Sequence, residues 1–264
     1  MKNNLQIIAI FFLFVLLSSC QKEFLKPNDD TDAQRFIDSS GITNPTEKLA
    51  INNFVKQLKD STLWIKFLAV YPMVGGTAAT TKWNLKDPRN LDAAYRLTFT
   101  GAPVFTNNGV LFAPGTSADT HLSDNLLTYN NAAISYYSKT QNSSAGYDIG
   151  CSDSIPPFNE LSIGKFTEWF GLNDTVTHAT TTGLYLLSST ATDSKRYDNS
   201  KLVLSLGYAP GNTYTNSSFL LGKSAIGQQG FRECALATIG MGLTDAQALT
   251  FYNIVQNFEA TLGR

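Results

Sequence analysis

Charge is scarce in this sequence. Asp, Glu, Lys and Arg make up 16% of its 264 residues, well under the ~25% of an average soluble domain. The formal net charge is −1 and no basic stripe runs through the chain, which excludes the electrostatic footprint of a nucleic-acid binder. Histidine occurs twice, at His121 and His178. Neither belongs to an HExxH or a Cys/His ligand pattern, and the GxSxG of a nucleophile elbow is missing. Gly240-Met241-Gly242 is too short for a dinucleotide loop and reads as a turn before a helix. No internal repeat of solenoid or propeller length is present. These absences leave no catalytic residue to name, and the chain reads as a non-enzyme without a cofactor.

What is present begins with an address. Met1-Lys2-Asn3-Asn4 gives a positive start, an apolar run follows from Leu5, and Leu17-Ser18-Ser19-Cys20 closes it. A charged start, a short apolar stretch and small residues before a cleavage point make a secretory signal. The run is about 13 residues, too short for the ~20 of a spanning helix. Leu-Ser-Ser-Cys resembles the lipobox of bacterial lipoproteins, which implies that residues 1–19 are removed and Cys20 is acylated. Two or more acyl chains anchor stably where one binds reversibly, so the implied partner is a membrane.

The remaining stretch of about 245 residues suits one large all-β domain or two small ones. With Cys20 lipidated, Cys151 and Cys234 are the pair left over. A bridge between them closes a loop of about 80 residues, worth roughly 4 kcal/mol by chain entropy; the alternative is two separately buried thiols, since free cysteine is among the most buried residue types. Residues 20–43 are polar, with Pro27 and an acidic cluster at Asp29, Asp30 and Asp32, and read as a lipidated tether. Gln21-Lys22-Glu23 resembles the short signal that sends lipoproteins of the Bacteroidetes to the outer face of the outer membrane, so surface exposure is expected.

Residues 44–72 read as a pair of helices. Asn44 caps the first, Pro45 suits its first position and Glu47 completes a capping box. Ala50, Phe54 and Leu58, with Ile51 and Val55, share one face. A second helix is expected from near Ser61, burying Leu63, Trp64, Phe67 and Leu68 and stopping before Pro72. Over 73–264 the period shortens. Tyr95, Leu97 and Phe99 alternate, as do Ile134, Tyr136 and Ser138, then Leu202, Leu204 and Leu206. Turn clusters lie between at 106–109, 141–144, 198–200 and 210–212, a spacing that suggests a sandwich or barrel. Lys195–Val203 reads as a hairpin turning at Asp198-Asn199. The chain closes on a helix with a Thr244/Gln247 capping box, an apolar face of Ala248, Phe251, Tyr252, Val255, Phe258 and Leu262, and Gly263 to end it.

The order of these pieces carries a resemblance. A helical pair, KWNLKDPRNLDAAYRLTFTG (82–101), AISYYSKT (133–140), YDIG (147–150), LYLLSSTATDSKRYDNSKLV (184–203), FLLGKSAIG (219–227) and the closing segment from Ala235 to Arg264 follow one another. The set is similar to a family of concanavalin A-like (laminin-G-like) jelly-roll proteins found among phage and prophage structural genes and uncharacterised Bacteroidetes proteins. The resemblance implies an all-β fold: an antiparallel β-sandwich with an N-terminal helical pair and a C-terminal helix against it. It implies little chemistry, because a fold does not carry a function.

Some relatives of that fold cleave polysaccharides with carboxylates spaced Glu-x-Asp-x-Glu on one strand, which sets an acid and a nucleophile on one face. The six glutamates here, Glu23, Glu47, Glu160, Glu168, Glu233 and Glu259, offer no such spacing, so a glycoside hydrolase is the weakest reading. Laminin-G-like domains can hold calcium at a rim, for which Asp119, Asp124 and Asp148 are the candidates. Binding is better supplied. Sugars stack on aromatic rings and use amides and hydroxyls for their edges, and Tyr136 and Tyr137, adjacent on a strand, point to opposite faces. Tyr136, Tyr137, Trp169, Tyr208 and Tyr214 are the tentative ligand-binding residues, with Trp83 beside them; core packing is the alternative for each. The sequence therefore reads as an envelope lipoprotein whose sandwich binds a glycan or another surface ligand, with a structural or assembly module as the alternative.

Overall fold

A computed structural model describes residues 29–264 apart from 129, 142–145, 153–159, 165–167, 171–181, 208–215 and 225–228; for 152, 160–164 and 168–170 it describes the backbone only. Cys20, His178, Tyr208, Tyr214 and the side chain of Trp169 thus lie outside the described residues, with the turn clusters at 142–144 and 210–212.

The chain enters on two helices, α1 (Thr31–Ser40) and α2 (Pro45–Asp60). Asp30 caps α1 by accepting from the Asp32 and Ala33 amides, and Ala33, Phe36 and Ile37 are buried. The folded body therefore takes in much of what reads as tether. Three apolar residues at i, i+3 and i+4 suffice to dock a polar helix. Asn44 caps α2 as expected, and Ala50, Ile51, Phe54, Val55 and Leu58 are all buried. Glu47 does not turn back to Asn44; its Oε1 accepts from the Gly75 amide at 3.0 Å.

The second helix expected after Ser61 is replaced by a single 3-10 turn at Trp64–Lys66 and a strand, β1 (Phe67–Tyr71). Thr62 adopts φ 59°, which ends the helical path, and the run Phe-Leu-Ala-Val-Tyr favours a pleated surface. After the short helix α3 (Ala78–Thr81) the strands follow: β2 (Thr98–Thr100), β3 (Val104–Thr106), β4 (Gly109–Leu111), β5 (Ser117–Ser123), β6 (Ala132–Ser138), β7 (Tyr147–Ser152), β8 (Glu160–Gly164), β9 (Glu168–Phe170), β10 (Gly183–Ser189), β11 (Ser194–Asp198), β12 (Lys201–Ser205), β13 (Ser218–Leu221) and β14 (Glu233–Gly240). The Tyr95-Leu97-Phe99 alternation shrinks to β2, because Tyr95 is left-handed at φ 60° behind a 3-10 turn. The turn cluster at 106–109 closes the β3–β4 hairpin, and the Lys195–Val203 hairpin forms with its turn one residue later than expected, at Asn199-Ser200, because Asp198 pairs with Lys201.

Two antiparallel sheets result. One has eight strands in the order β12-β11-β10-β6-β14-β4-β3, with β1 also paired to β14; the other has six, β2-β5-β13-β7-β8-β9. At Gly109 a Cβ would stand 1.9 Å from the Cys234 carbonyl oxygen, so only glycine lets β4 approach β14 there. Between the sheets lies one core, with Tyr71, Val110, Ile134, Tyr136, Tyr185 and Ile239 from the larger sheet facing Leu122, Ile149, Phe219 and Leu221 from the smaller. The larger sheet's other face is also apolar: Phe67, Val70, Ala133, Leu184, Leu186 and Leu236 meet α1, α2 and the last helix, α4 (Asp245–Leu262). Phe54 meets Phe258 at 4.7 Å between ring centroids, and Phe67 meets Phe251 at 5.0 Å. The Thr244/Gln247 capping box forms, and Gly263 ends α4 at φ 74°.

Cys151 on β7 and Cys234 on β14 sit on opposite sheets, and both are buried thiols that no disulfide joins. The bridge considered above is therefore replaced by its alternative.

Candidate ligand-binding groove

The larger sheet delivers Tyr137 to a groove that Tyr136 cannot reach. Every residue of β6 is buried, and its side chains alternate between two cores, so that Tyr136 enters the inter-sheet core while Tyr137 faces the helices. Tyr136 is fully buried and donates its hydroxyl to the Arg232 carbonyl at 2.8 Å; it is a core residue, not a ligand contact. Tyr137 is 9% exposed and lines a cavity of about 360 Å³ with Ser138, Lys139, Thr182, Gly183, Asn199 and Tyr252. Four pieces of chain meet here: the end of β6, the start of β10, the β11–β12 turn and the middle of α4.

Each wall is fixed locally. Asn199 takes φ 57° in its hairpin turn, a conformation asparagine tolerates. Its Oδ1 accepts from the Leu184 amide at 3.0 Å and its Nδ2 donates to Asp198 at 3.2 Å. Gly183 is what admits it, since a Cβ there would lie 2.1 Å from Asn199 Oδ1. Gln256, one turn along α4 from Tyr252, donates to the Tyr137 hydroxyl at 3.5 Å. Burial, the largest influence, pushes the Tyr137 phenol above its ordinary value, so it stays neutral as a hydrogen-bonding group. Lys139 Nζ lies 5.5 Å from the Tyr137 ring centroid and 3.9 Å from Glu259 Oε2. The groove thus offers two phenol rings, hydroxyls, an amide and an ammonium. None of its seven lining residues is an acid.

The other sequence candidates are scattered. Trp83 stands elsewhere, donating to the Ala79 carbonyl at 2.8 Å beneath Lys82. The three calcium candidates do not gather. Asp119 accepts from the His121 amide at 2.7 Å, Asp124 is buried at a 3-10 turn, and Asp148 accepts from Arg232 Nε at 2.6 Å. Among the described residues no three His, Cys, Asp or Glu side chains come together as a metal site. His121 Nε2 lies 2.8 Å from Thr98 Oγ1 and 3.5 Å from Asp92 Oδ1. One ring nitrogen faces both groups, whereas a catalytic relay needs the hydroxyl and the carboxylate on opposite nitrogens.

Tyr252, Lys139 and Asn199 escaped the sequence reading. Tyr252 is absorbed into the apolar face of α4, Lys139 follows a strand, and Asn199 is a turn residue; nothing local marks their convergence.

The architecture is an antiparallel sandwich of two β-sheets with helices packed on the outer face of the larger one. No protein-family model matches the chain, and no curated protein matches it. Among solved structures it is similar to domain 4 of AbnA, a GH43 extracellular arabinanase from Geobacillus stearothermophilus in complex with arabinotriose, at 16% identity and a TM-score of 0.45, over 70% of this chain and 98% of that one. It is also similar to Trypanosoma rangeli sialidase in complex with 2,3-difluorosialic acid, at 8% identity and TM-score 0.48 over 78% of this chain, and to the HCR/D F1240A mutant, at 12% identity and TM-score 0.43 over 71%. This chain spans 38% of the sialidase and 51% of the HCR/D chain. Likeness at such identity and TM-score carries no site residue and no function.

Proposed function

We propose that the chain is a non-catalytic carbohydrate-binding sandwich, held at the surface of the bacterial outer membrane by lipid on Cys20. One observation carries the binding reading: Tyr137 and Tyr252 share a groove of about 360 Å³ with Ser138, Lys139, Thr182 and Asn199. Polar-ligand sites combine apolar rings with a few placed hydrogen-bonding groups in volumes of ~300–1,000 Å³, and a sugar ring uses both. Glycoside hydrolysis instead needs two carboxyl groups ~5–10 Å apart across the scissile bond, and acids are absent from this lining.

A glycan array probed with residues 21–264 tests the reading. Binding is expected, and Tyr252→Ala is expected to weaken it about tenfold, as loss of one aromatic contact of ~1.4 kcal/mol gives. An array without signal, or signal that Tyr252→Ala and Lys139→Ala both leave intact in folded protein, refutes it. The anchor is tested separately. Cys20→Ala is expected to move the protein from the membrane fraction to the soluble one, because a chain without its acyl groups has no stable hold on a bilayer; retention in the membrane defeats the lipoprotein reading.

A further inference from the structure

A second cavity, of about 570 Å³, lies away from the groove, between α1 and the loop that follows α3; its lining includes three cations, Arg35, Lys86 and Arg89, and two carboxylates, Asp87 and Asp38, the latter accepting from Gln34 Nε2 at 2.7 Å. Its charges are unequal in freedom. Arg89 grips Asp87 through Nε to Oδ1 at 2.7 Å, and Arg35 pairs with Asp32 on its own helix. Both arginine side chains are about two-thirds exposed, 64% and 63%, and each keeps guanidinium donors beyond those pairs. Lys86 is different. Its ammonium donates to the Trp64 carbonyl at 2.6 Å and sits 3.7 Å from the centroid of the Trp64 ring. Among the described residues it has no carboxylate in ion-pair contact, although a half-buried ammonium would ordinarily take one. An ammonium has three donors, and here one backbone acceptor uses one of them.

We propose that this cavity is a binding site for a small soluble oxyanion, a phosphate or sulfate group, seated on Lys86 and enclosed by Arg35 and Arg89. Three cationic side chains from two chain segments, α1 and the loop after α3, outnumber the two carboxylates of the lining and match the several acceptor directions of a tetrahedral oxyanion, and the guanidinium fork suits it in particular. The volume lies within the range of small-ligand sites. Lys86 titration then becomes a readout. Burial lowers its amine to about 8, opposed by the Asp32 charge and assisted by that of Lys59. The charged groups around it are Asp32, Arg35 and Asp38 on α1, Lys59 on α2, and Asp87 and Arg89 in its own loop. A bound anion stabilises the ammonium, so affinity is full below about pH 8 and falls as the pH rises through the Lys86 value.

Inorganic phosphate and inorganic sulfate, titrated into the full chain by calorimetry and by NMR of the Lys86 εCH₂ group, test this. Binding at pH 7 that weakens by pH 9 is expected, with the Lys86 titration displaced upward in saturating phosphate. Arg89→Ala, at an exposed position that leaves the fold intact, is expected to weaken binding about tenfold, the loss of one charge-assisted contact. Lys86→Met is expected to abolish it. The proposal fails if neither anion binds, if both variants bind as the parent does, or if saturating phosphate leaves the Lys86 titration unmoved. Should Lys86→Met not fold, Arg89→Ala and the parent's Lys86 titration decide alone. Glycan binding at Tyr252 is independent of every one of these outcomes.

Discussion

Replacing Arg264 by alanine is expected to destabilise the protein by about 3–5 kcal/mol, as breaking a buried pair does when one charge is left behind. The Arg264 side chain is 2% exposed. Its guanidinium donates to four backbone carbonyls, those of Pro72 at 3.0 Å, Met73 at 3.2 Å, Asn107 at 3.3 Å and Ala235 at 3.3 Å. Through one side chain the end of α4 is tied to the exit of β1, the β3–β4 turn and β14. Arg264 Nε also lies 3.2 Å from Glu259 Oε2, whose side chain is equally buried. A melting temperature lower by roughly 6–20 °C follows for a domain of this size; a drop under 2 °C would contradict the assignment. Glu259 supplies the pH side of the test. Burial raises its carboxyl above the ordinary 4.5, against the pull of Arg264 and Lys139. A raised carboxyl gives stability that is complete below the unfolded value and fades as the pH climbs through the folded one. Glu259→Gln is therefore expected to flatten the fall in stability above pH 4.5, while the Arg264 carbonyl contacts persist.

How far such features can be read in advance depends on the range of the contacts that make them. α4 was legible in full because its signals are local: Thr244 and Gln247 three apart, an apolar face at helical spacing, and Gly263. The β11–β12 hairpin was legible for the same reason. β1 was not. Leu63, Trp64, Phe67 and Leu68 fit a helical face as well as a strand, and the decision is made by β14, about 170 residues on, which pairs Phe67 with Gly240 and Tyr71 with Ala237. α1 carried a signal that composition concealed. Asp30 and the trio Ala33, Phe36 and Ile37 are a cap and a face, but they stand among polar residues that match a linker. At the groove, alternation along β6 correctly put Tyr136 and Tyr137 on opposite faces. It could not show that helices cover one face and a second sheet the other, which leaves Tyr137 at a rim and Tyr136 in the core.

A buried ion pair between the sheets was likewise invisible in one dimension. Asp148, a calcium candidate by residue type, is joined to Arg232, 84 residues away, and both side chains are 2% exposed. The Arg232 guanidinium lies 4.8 Å from the Tyr185 ring centroid. Burial lowers the Arg232 affinity for its proton, yet the Asp148 charge and hydrogen bond outweigh it and the guanidinium is held above its ordinary value. The pair stitches β7 of one sheet to the entry of β14 in the other. Arg232→Met is expected to cost about 3–5 kcal/mol because it strands the Asp148 carboxylate between the sheets, and Asp148→Leu a similar amount for the opposite reason. The double variant should recover most of the loss, since two apolar side chains of similar volume need no solvation. Urea denaturation of the four proteins measures this directly. A large coupling between the two sites identifies desolvated charge as what the pair neutralises. Additive losses would mean that each side chain acts through packing alone, with the ion pair contributing nothing.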